Sequence, residues 1–204
     1  MNTNSSSNAL KSKWSVDTIH SELSFKSKHL MISILTGYVK SFNLDVQTLG
    51  SDFGEITDLQ LTADMRSLTT RHEARDEHLK SQDFFDVERH PYLEFQSTRF
   101  EKQGQMPPSV LSSYRRDYKL HGNLIIKGTS VPIVLNGEFG GLSTELSGIK
   151  RAGFTVRGFI SRKEFGLTWE GLLDSGKLIV PDEVEIVGNI QLIKQVSSNS
   201  ALIS

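Results

Sequence analysis

The 204-residue sequence contains no cysteine, which excludes disulfide bonds, thiolate nucleophiles and cysteine-ligated metal sites. Neither charge sign dominates, because 23 lysines and arginines face 24 aspartates and glutamates, for a net charge of −1. This balance provides no basic footprint for nucleic acid and no polybasic cluster for an anionic membrane surface. No apolar run approaches the length of a membrane-spanning helix, so we expect no stable membrane insertion.

The two ends of the chain are polar. The N-terminal stretch MNTNSSSNALKSKW lacks the apolar segment of a secretory signal. We therefore expect a cytoplasmic protein, and a periplasmic one only if a leader has been removed. Residues 1–12 are predicted to be a disordered tail and residues 196–204 a second polar tail. The segment 13–195 has the length of one domain.

Alternation of apolar and polar residues with a period of two fills most of that segment, as is typical of half-buried antiparallel strands. The clearest strands are predicted at 118–126, 131–139, 152–160 and 184–192. No helical crossover separates them, which argues against parallel pairing. Earlier features are strands at 14–19 and 23–28, a parity change that indicates a bulge near Ser41, and a long connection at 101–117.

Each of the four clear strands carries one glycine on its apolar face: Gly122, Gly137, Gly158 and Gly188. A tightly packed sandwich core would not leave one side chain missing per strand. The glycines either permit the bends that close a barrel or widen a lumen for a ligand. Both interpretations predict an all-β fold built as a closed antiparallel barrel.

One segment, 69–95, breaks the alternation. Thr70 and Glu73 fit a capping box for a helix over 71–80. This helix is polar nearly all round, which favours a cap lying on the barrel. Phe84 and Phe85 follow it, and in a turn both can point the same way. A second irregular segment, the apolar cluster 30–35, is predicted to be a short helix or a rim loop.

His72, Asp76 and His78 offer a candidate metal site, because HEARD resembles the HExxH motif of zinc hydrolases. Asp76 replaces the second histidine and no third ligand is identifiable, so a solvated helix face is the stronger interpretation. The sequence contains no GxSxG elbow, phosphate loop or dinucleotide fingerprint. We predict no enzyme and no catalytic cofactor. A metal-dependent hydrolase, and a stress-response module acting through its polar surface, are the alternatives.

Four motifs resemble those of a known family: WSVDTIHSELSFKSKHLMIS, RDEHLKSQDFFDVERHPYLEF, LHGNLIIKGTSVPIVL and RAGFTVRGFISRKEFGLTW. The first two match at Trp14, Asp17, His20, Ser21, Phe25, His29, Leu30, Arg75, Asp76, His78, Leu79, Asp83, Phe84, Phe85, Asp86, Pro91 and Phe95. From Trp14 to Lys194 the chain resembles the YceI-like family of polyisoprenoid-binding proteins.

The resemblance implies an extended, eight-stranded, lipocalin-like barrel that holds a polyisoprenoid, an isoprenoid quinone or a similar amphiphile without a covalent bond. It implies transport or storage rather than catalysis. A homodimer is a further expectation. Candidate ligand-binding residues are Phe25, Leu30, Met31, Ile34, Phe42, Phe84, Phe85, Phe95, Leu124, Leu135, Phe154, Phe165 and Trp169. The segments 30–35 and 84–85 are predicted to form the rim of one mouth, covered by the helix.

Overall fold

The computed structural model describes residues 11–29, 32–50, 53, 55–103, 116–170 and 180–196. These residues form strand segments, one α-helix and two short 3₁₀ helices. The strands are β1 (Lys11–Val16), β2 (Glu22–His29), β3 (Ser33–Val39), β4 (Phe42–Leu49), β5 (Glu55–Asp64), β6 (Leu68–Thr69), β7 (Tyr92–Lys102), β8 (Arg116–Ile126), β9 (Thr129–Thr144), β10 (Lys150–Ser161) and β11 (Glu183–Lys194). The helix α1 spans Glu73–Lys80, and the 3₁₀ helices span Met65–Ser67 and Arg162–Phe165.

These segments build eight barrel strands, because three of the strands are interrupted. β1 and β2 lie end to end against β11. β4 and β3 pair with β1 and β2, and β5 and β6 pair in turn with β4 and β3. From β5, the antiparallel order continues through β7, β8, β9 and β10 to β11, and the β1–β11 pairing closes the ring. The predicted eight-stranded antiparallel barrel is confirmed.

Chain direction assigns the strand ends to two ends of the barrel. β4, β7 and β9 end, and β5, β8 and β10 begin, at one end, which we call the base. β2, β8 and β10 end, and β3, β9 and β11 begin, at the opposite end, which we call the helix end because α1 and the turns at 81–91 lie there. In the part of the chain that the structure describes, no helix is long and apolar enough to cross a membrane.

Four aromatic rings fill the base. Trp14 and Phe53 have ring centroids 4.3 Å apart, and Phe154 lies 5.1 Å from Phe53 and 4.9 Å from Phe139. Trp14 also donates from Nε1 to Thr48 Oγ1 over 3.2 Å. Phe53 adopts a φ of 54°, a left-handed conformation that is costly for a bulky side chain, and its ring is fully buried. This packing closes the base.

The N-terminal region departs from the prediction in two places. β1 begins at Lys11, inside the predicted tail 1–12, because residues Lys11–Ser15 pair with β4. It ends at Val16 and does not reach Ile19, because the Asp17 carboxylate accepts from the backbone N–H of Ile19 over 3.1 Å and forms a turn. The parity change near Ser41 is the interruption between β3 and β4, where Lys40 and Ser41 are exposed between two buried residues.

The prediction of a helix or loop at 30–35 is wrong for its second half. Ile34 and Leu35 belong to the regular strand β3, where they pair with Lys28 and Ser27 of β2. Hairpin pairing with β2 imposes the alternation, so Ile34 faces outward with 70% of its surface exposed. Leu30 and Met31 lie outside the described residues, as do 104–115 of the predicted long connection.

Candidate functional site

A cavity of about 340 Å³ occupies the barrel interior. Its size falls within the 300–1,000 Å³ that is typical of small-molecule sites. The inward-facing residues of all eight strands contribute apolar side chains, and the base aromatics lie below it. At the helix end its lining includes Leu79, Phe84, Phe85 and Trp169. The interior is therefore a hydrophobic compartment with one end built from irregular chain.

The turn after α1 directs two adjacent phenylalanines into this cavity. Phe85 N donates to Leu79 O over 3.0 Å and Phe84 N donates to Ser81 O over 3.1 Å, so the chain coils back beneath the helix. Asp86 adopts a φ of 49° as the turn ends. Because this backbone is not a strand, both rings line the cavity, Phe84 buried and Phe85 half-buried. A regular strand would turn one of them outward.

Asp76 fixes the helix to the barrel. Its carboxylate is buried and accepts from Thr69 Oγ1 over 2.7 Å, from Thr70 N over 2.6 Å and from Thr70 Oγ1. Burial opposes ionisation, but the hydrogen bonds from Thr70 and Thr69 outweigh it and hold the pKa of Asp76 below its usual value. Arg75 donates from Nε to Thr70 Oγ1 over 2.7 Å and from Nη2 to Thr70 O over 3.0 Å.

The predicted capping box of Thr70 and Glu73 is wrong. The N-cap is His72, whose Nδ1 accepts from Arg75 N over 3.4 Å. Thr70 cannot cap the helix because its hydroxyl is already engaged by Asp76 and Arg75. The helix accordingly begins at Glu73, two residues later than predicted.

His78 forms an aromatic cluster with two cavity-lining rings. Its ring centroid lies 5.3 Å from Phe84 and 4.9 Å from Trp169, both edge to face, and Phe84 lies 5.4 Å from Trp169. His78 Nε2 lies 3.4 Å from Asp83 Oδ2. This cluster joins α1 to the β10–β11 connection over the cavity.

The three residues of the metal hypothesis serve separate purposes. His72 caps the helix, Asp76 accepts hydrogen bonds from two threonines, and His78 packs in the aromatic cluster. Among the described residues, no three histidine, aspartate or glutamate side chains are grouped so as to hold a metal ion. This geometry gives the hydrolase hypothesis no support.

The predicted ligand-binding residues fall into five groups. Those that line the cavity are Phe25, Phe84, Phe85, Phe95, Leu124, Leu135 and Trp169. Phe154 lines a smaller cavity of about 50 Å³ beside Phe53. Phe42 and Phe165 are buried in the core and line neither cavity, and Ile34 faces outward on β3. Leu30 and Met31 lie outside the described residues.

The sequence reasoning missed the basic groups of the lining, Lys28, Arg75 and Arg162, and several aliphatic residues. These aliphatic residues are Leu23, Leu35, Leu59, Leu61, Leu93, Ile186 and Ile190. Their strand parity was a signal that could have found them, because they share the inward face with residues already chosen. Arg162 is part of the fourth family motif, RAGFTVRGFISRKEFGLTW, but no pattern assigned it to the lining; it follows the end of β10 and turns inward.

The four strand glycines have different surroundings. A Cβ at Gly122 would overlap the ring of Phe95, and one at Gly158 would overlap Leu135 Cδ2, so neighbouring side chains already fill these gaps. A Cβ at Gly188 would lie 3.5 Å from Ile190 Cγ1, an ordinary contact, and Gly188 lines the large cavity. Gly137 lines the small one. Of the four, only Gly188 and Gly137 leave space that neighbouring side chains do not fill.

Residues 14–192 match the model of the YceI-like domain. The chain belongs to the YceI-like family. A UPF0312 protein of Staphylococcus epidermidis is 32% identical over 176 residues, which cover 85% of this chain and 92% of the relative. A crystal structure of a Campylobacter jejuni YCEI protein superposes with a TM-score of 0.67 at 26% identity, covering 83% of this chain and 90% of that one.

The YceI-like fold extends to a more distant structure. A polyisoprenoid binding domain from Saccharophagus degradans has a TM-score of 0.58 at 15% identity and covers 90% of this chain and 98% of its own. At that identity the likeness concerns the barrel alone. Several residues that carry the YceI-like motifs have structural roles here. Asp17, for example, accepts from His20 Nδ1 over 2.9 Å and pairs with Arg151.

Proposed function

We propose that the protein binds a polyisoprenoid or a similar long-chain amphiphilic lipid in the barrel cavity, and that it carries or stores this lipid without chemical conversion. The observation that carries the proposal is the cavity of about 340 Å³ with a nearly continuous apolar lining. An isoprenoid quinone belongs to the same ligand class. The polyisoprenoid binding domain that shares this barrel lends support to the assignment.

The energetics favour an occupied cavity. Each methylene of a ligand chain contributes about 0.8 kcal/mol on burial, so a long chain binds with few polar anchors.

We further propose that the lipid enters at the helix end. The Phe84–Phe85 turn and α1 lie at that end, whereas four packed rings fill the base. α1 rests on the barrel through Asp76 and Arg75 and would act as the cover. Irregular segments with few ladder hydrogen bonds are the least costly parts of a barrel to move.

The first test is the identity of the molecule that co-purifies with the protein. Native mass spectrometry and organic extraction should recover an amphiphilic lipid at about one equivalent. Protein that is repeatedly free of lipid, and that takes up none from a mixed lipid extract, would contradict the proposal. Elemental analysis tests the hydrolase alternative, because stoichiometric zinc or iron lost on substituting His72 and Asp76 would favour it.

Two further expectations stay predictions from the sequence, a cytoplasmic location and a homodimer. Light scattering coupled to size-exclusion chromatography measures the second. A stress-response module would instead be indicated by one specific protein partner in pull-downs and no extractable lipid.

A further inference from the structure

The ionisable part of the cavity lining is basic. Lys28 lies near the end of β2, Arg75 and His78 lie on α1, and Arg162 directly follows β10, so all four belong to the helix end. Among the described residues that line the cavity, none is an aspartate or a glutamate. The ionisable side chains at the helix end of this largely apolar cavity are therefore all basic.

Arg162 is the most deeply buried of these groups, with 3% of its surface exposed. Its guanidinium donates to three backbone carbonyls: Nε to Pro181 O over 3.0 Å, Nη2 to Val180 O over 3.1 Å, and Nη1 to Leu167 O. A guanidinium has five N–H donors, so one on Nη1 and one on Nη2 have no partner among the described residues. Burying a charge without an ionic partner is costly.

The carboxylates around Arg162 are directed elsewhere. Asp182 accepts from Ser161 Oγ over 2.9 and 2.8 Å and from Lys163 N over 3.0 Å, and Glu170 pairs with Lys163. Neither residue lines the cavity. Both lie close enough for Arg162 to help lower their pKa values, but neither forms an ion pair with it in the described part of the chain.

Ser27 supplies a second unsatisfied group. Its Oγ is buried and has no hydrogen-bond partner among the described residues, and the residue lines the same cavity. Ser27 precedes Lys28 on β2, so it also belongs to the helix end. Buried hydroxyls are normally hydrogen-bonded, which makes an isolated one an indication of a missing partner. A hydroxyl and a guanidinium can both donate to an oxygen anion.

We infer that the head group of the bound lipid is anionic, and that Arg162, Arg75 and Ser27 hold it at the helix end while the chain fills the barrel. This inference rests on the proposed function. The shared chemistry is a negatively charged oxygen, carried either by a prenyl phosphate or by a fatty-acid carboxylate. Neutral head groups can accept the same hydrogen bonds but do not balance the buried charge.

The test compares ligands that share a chain and differ only in the head group. Delipidated protein is titrated with geranylgeranyl phosphate and geranylgeraniol, and separately with palmitic acid and hexadecanol. Displacement of the neutral fluorophore N-phenyl-1-naphthylamine reports binding. We expect at least one anionic ligand to bind tenfold or more tightly than its alcohol, which corresponds to about 1.4 kcal/mol. The preferred pair identifies phosphate or carboxylate.

Equal or tighter binding of both alcohols would overturn the inference and leave the proposed function standing. If none of the four ligands displaces the fluorophore, the proposed function fails, and the inference fails with it. These outcomes require only the wild-type protein, so they do not depend on how any variant folds.

Variants then locate the contact. Arg162→Gln and Arg75→Gln should each reduce the anion-to-alcohol affinity ratio at least fivefold, because this ratio cancels any loss of affinity that both ligands share. Ser27→Ala removes a hydroxyl that has no described partner, so it tests the contact with little risk to folding. Lys163→Gln is the matched control, because Lys163 pairs with Glu170 and does not line the cavity. If Lys163→Gln lowers the anion-to-alcohol affinity ratio as much as the lining variants do, the assignment of the head-group contact to the lining is contradicted.

Discussion

Gly188 offers the sharpest test of whether the cavity exists for a ligand or is a by-product of barrel bending. Gly188 lies on β11 and pairs with Val156 of β10 and Leu23 of β2, and all three residues line the cavity. A Cβ there would make ordinary contacts, at 3.5 Å from Ile190 Cγ1 and 3.9 Å from Val156 Cβ. The φ of Gly188 is not positive, so a valine at this position meets no backbone strain.

Gly188→Val should stabilise the lipid-free protein and weaken lipid binding. Three added carbons contribute about 0.8 kcal/mol each on burial, and loss of glycine flexibility in the unfolded chain adds about 0.4–1 kcal/mol. The sum of about 3 kcal/mol corresponds to a rise in melting temperature of about 6–12 °C. A lipid that gives up the contacts of two or three methylenes loses about 2 kcal/mol, or about 30-fold in affinity.

Gly122→Ala is the matched control. Its Cβ would overlap the Phe95 ring and lie 2.5 Å from the backbone oxygen of Gln96, so it should cost about 1–3 kcal/mol through overpacking. Urea unfolding of both delipidated variants measures stability, and fluorophore displacement measures lipid affinity. If Gly188→Val destabilises the protein as Gly122→Ala does, the glycine serves bending and the argument from empty space is refuted.

Three further predictions concern the two ends of the barrel. Phe85→Ala should weaken lipid retention with little change in the melting temperature of the lipid-free protein, because the Phe85 ring is half-buried. Phe84→Ala should cost about 3–5 kcal/mol of stability, because the Phe84 ring is buried and packs against Trp169. If thermal melts show equal stability losses and both variants keep the lipid, the entry proposal is contradicted. Phe53→Ala should likewise cost about 3–5 kcal/mol in urea unfolding, and a loss below about 1 kcal/mol would show that the base does not depend on this ring. The pKa of Asp76 is lower in the folded protein than its usual value of 3.8, so ionisation of Asp76 stabilises the protein at pH values above 3.8, and this contribution is lost as pH falls through the folded pKa. Asp76→Asn should therefore be less stable than wild type near pH 6, and its free energy of unfolding should fall less steeply in acid. Equal slopes of stability against pH in acid would exclude this linkage.

The barrel was predictable from the sequence because its later strands are regular. The strands from β8 to β11 alternate regularly, with one register shift between β9 and β10 at Gly153 and Phe154, so parity identifies most of the inward face. The first half was harder, since β1 and β5 each end at or next to an aspartate whose carboxylate accepts from the backbone N–H two residues further on. Asp17, for example, ends β1 by bonding the backbone of Ile19, and a two-residue period cannot reveal such a turn.

The site was predictable in its apolar part and not in its polar part. Phe95, Leu124 and Leu135 follow from parity, and Phe84 and Phe85 follow from their position in irregular chain. Thr70 shows the limit of local motifs: its spacing to Glu73 fits a cap, yet the buried Asp76 carboxylate competes for the same hydroxyl. Arg162 lies inward because the carbonyls of Leu167, Val180 and Pro181 accept from its guanidinium, and the last two lie too far along the chain for a local pattern to reveal them.

The interrupted strands leave a seam in the barrel wall. β5 and β7 are joined by backbone hydrogen bonds only from Gln60–Asp64 to Tyr92–Gln96. Beyond that stretch, β6 pairs with β3 and, within the described residues, not with β7, and residues 55–59 of β5 are not paired with β7 either. At the helix end, Asp76 and Arg75 hold α1 beside this seam through Thr69 and Thr70. The circumference of the barrel at the seam is therefore set by side chains, which can repack, and not by a continuous ladder. We expect one such chain to admit lipids of different girth without any change in strand register.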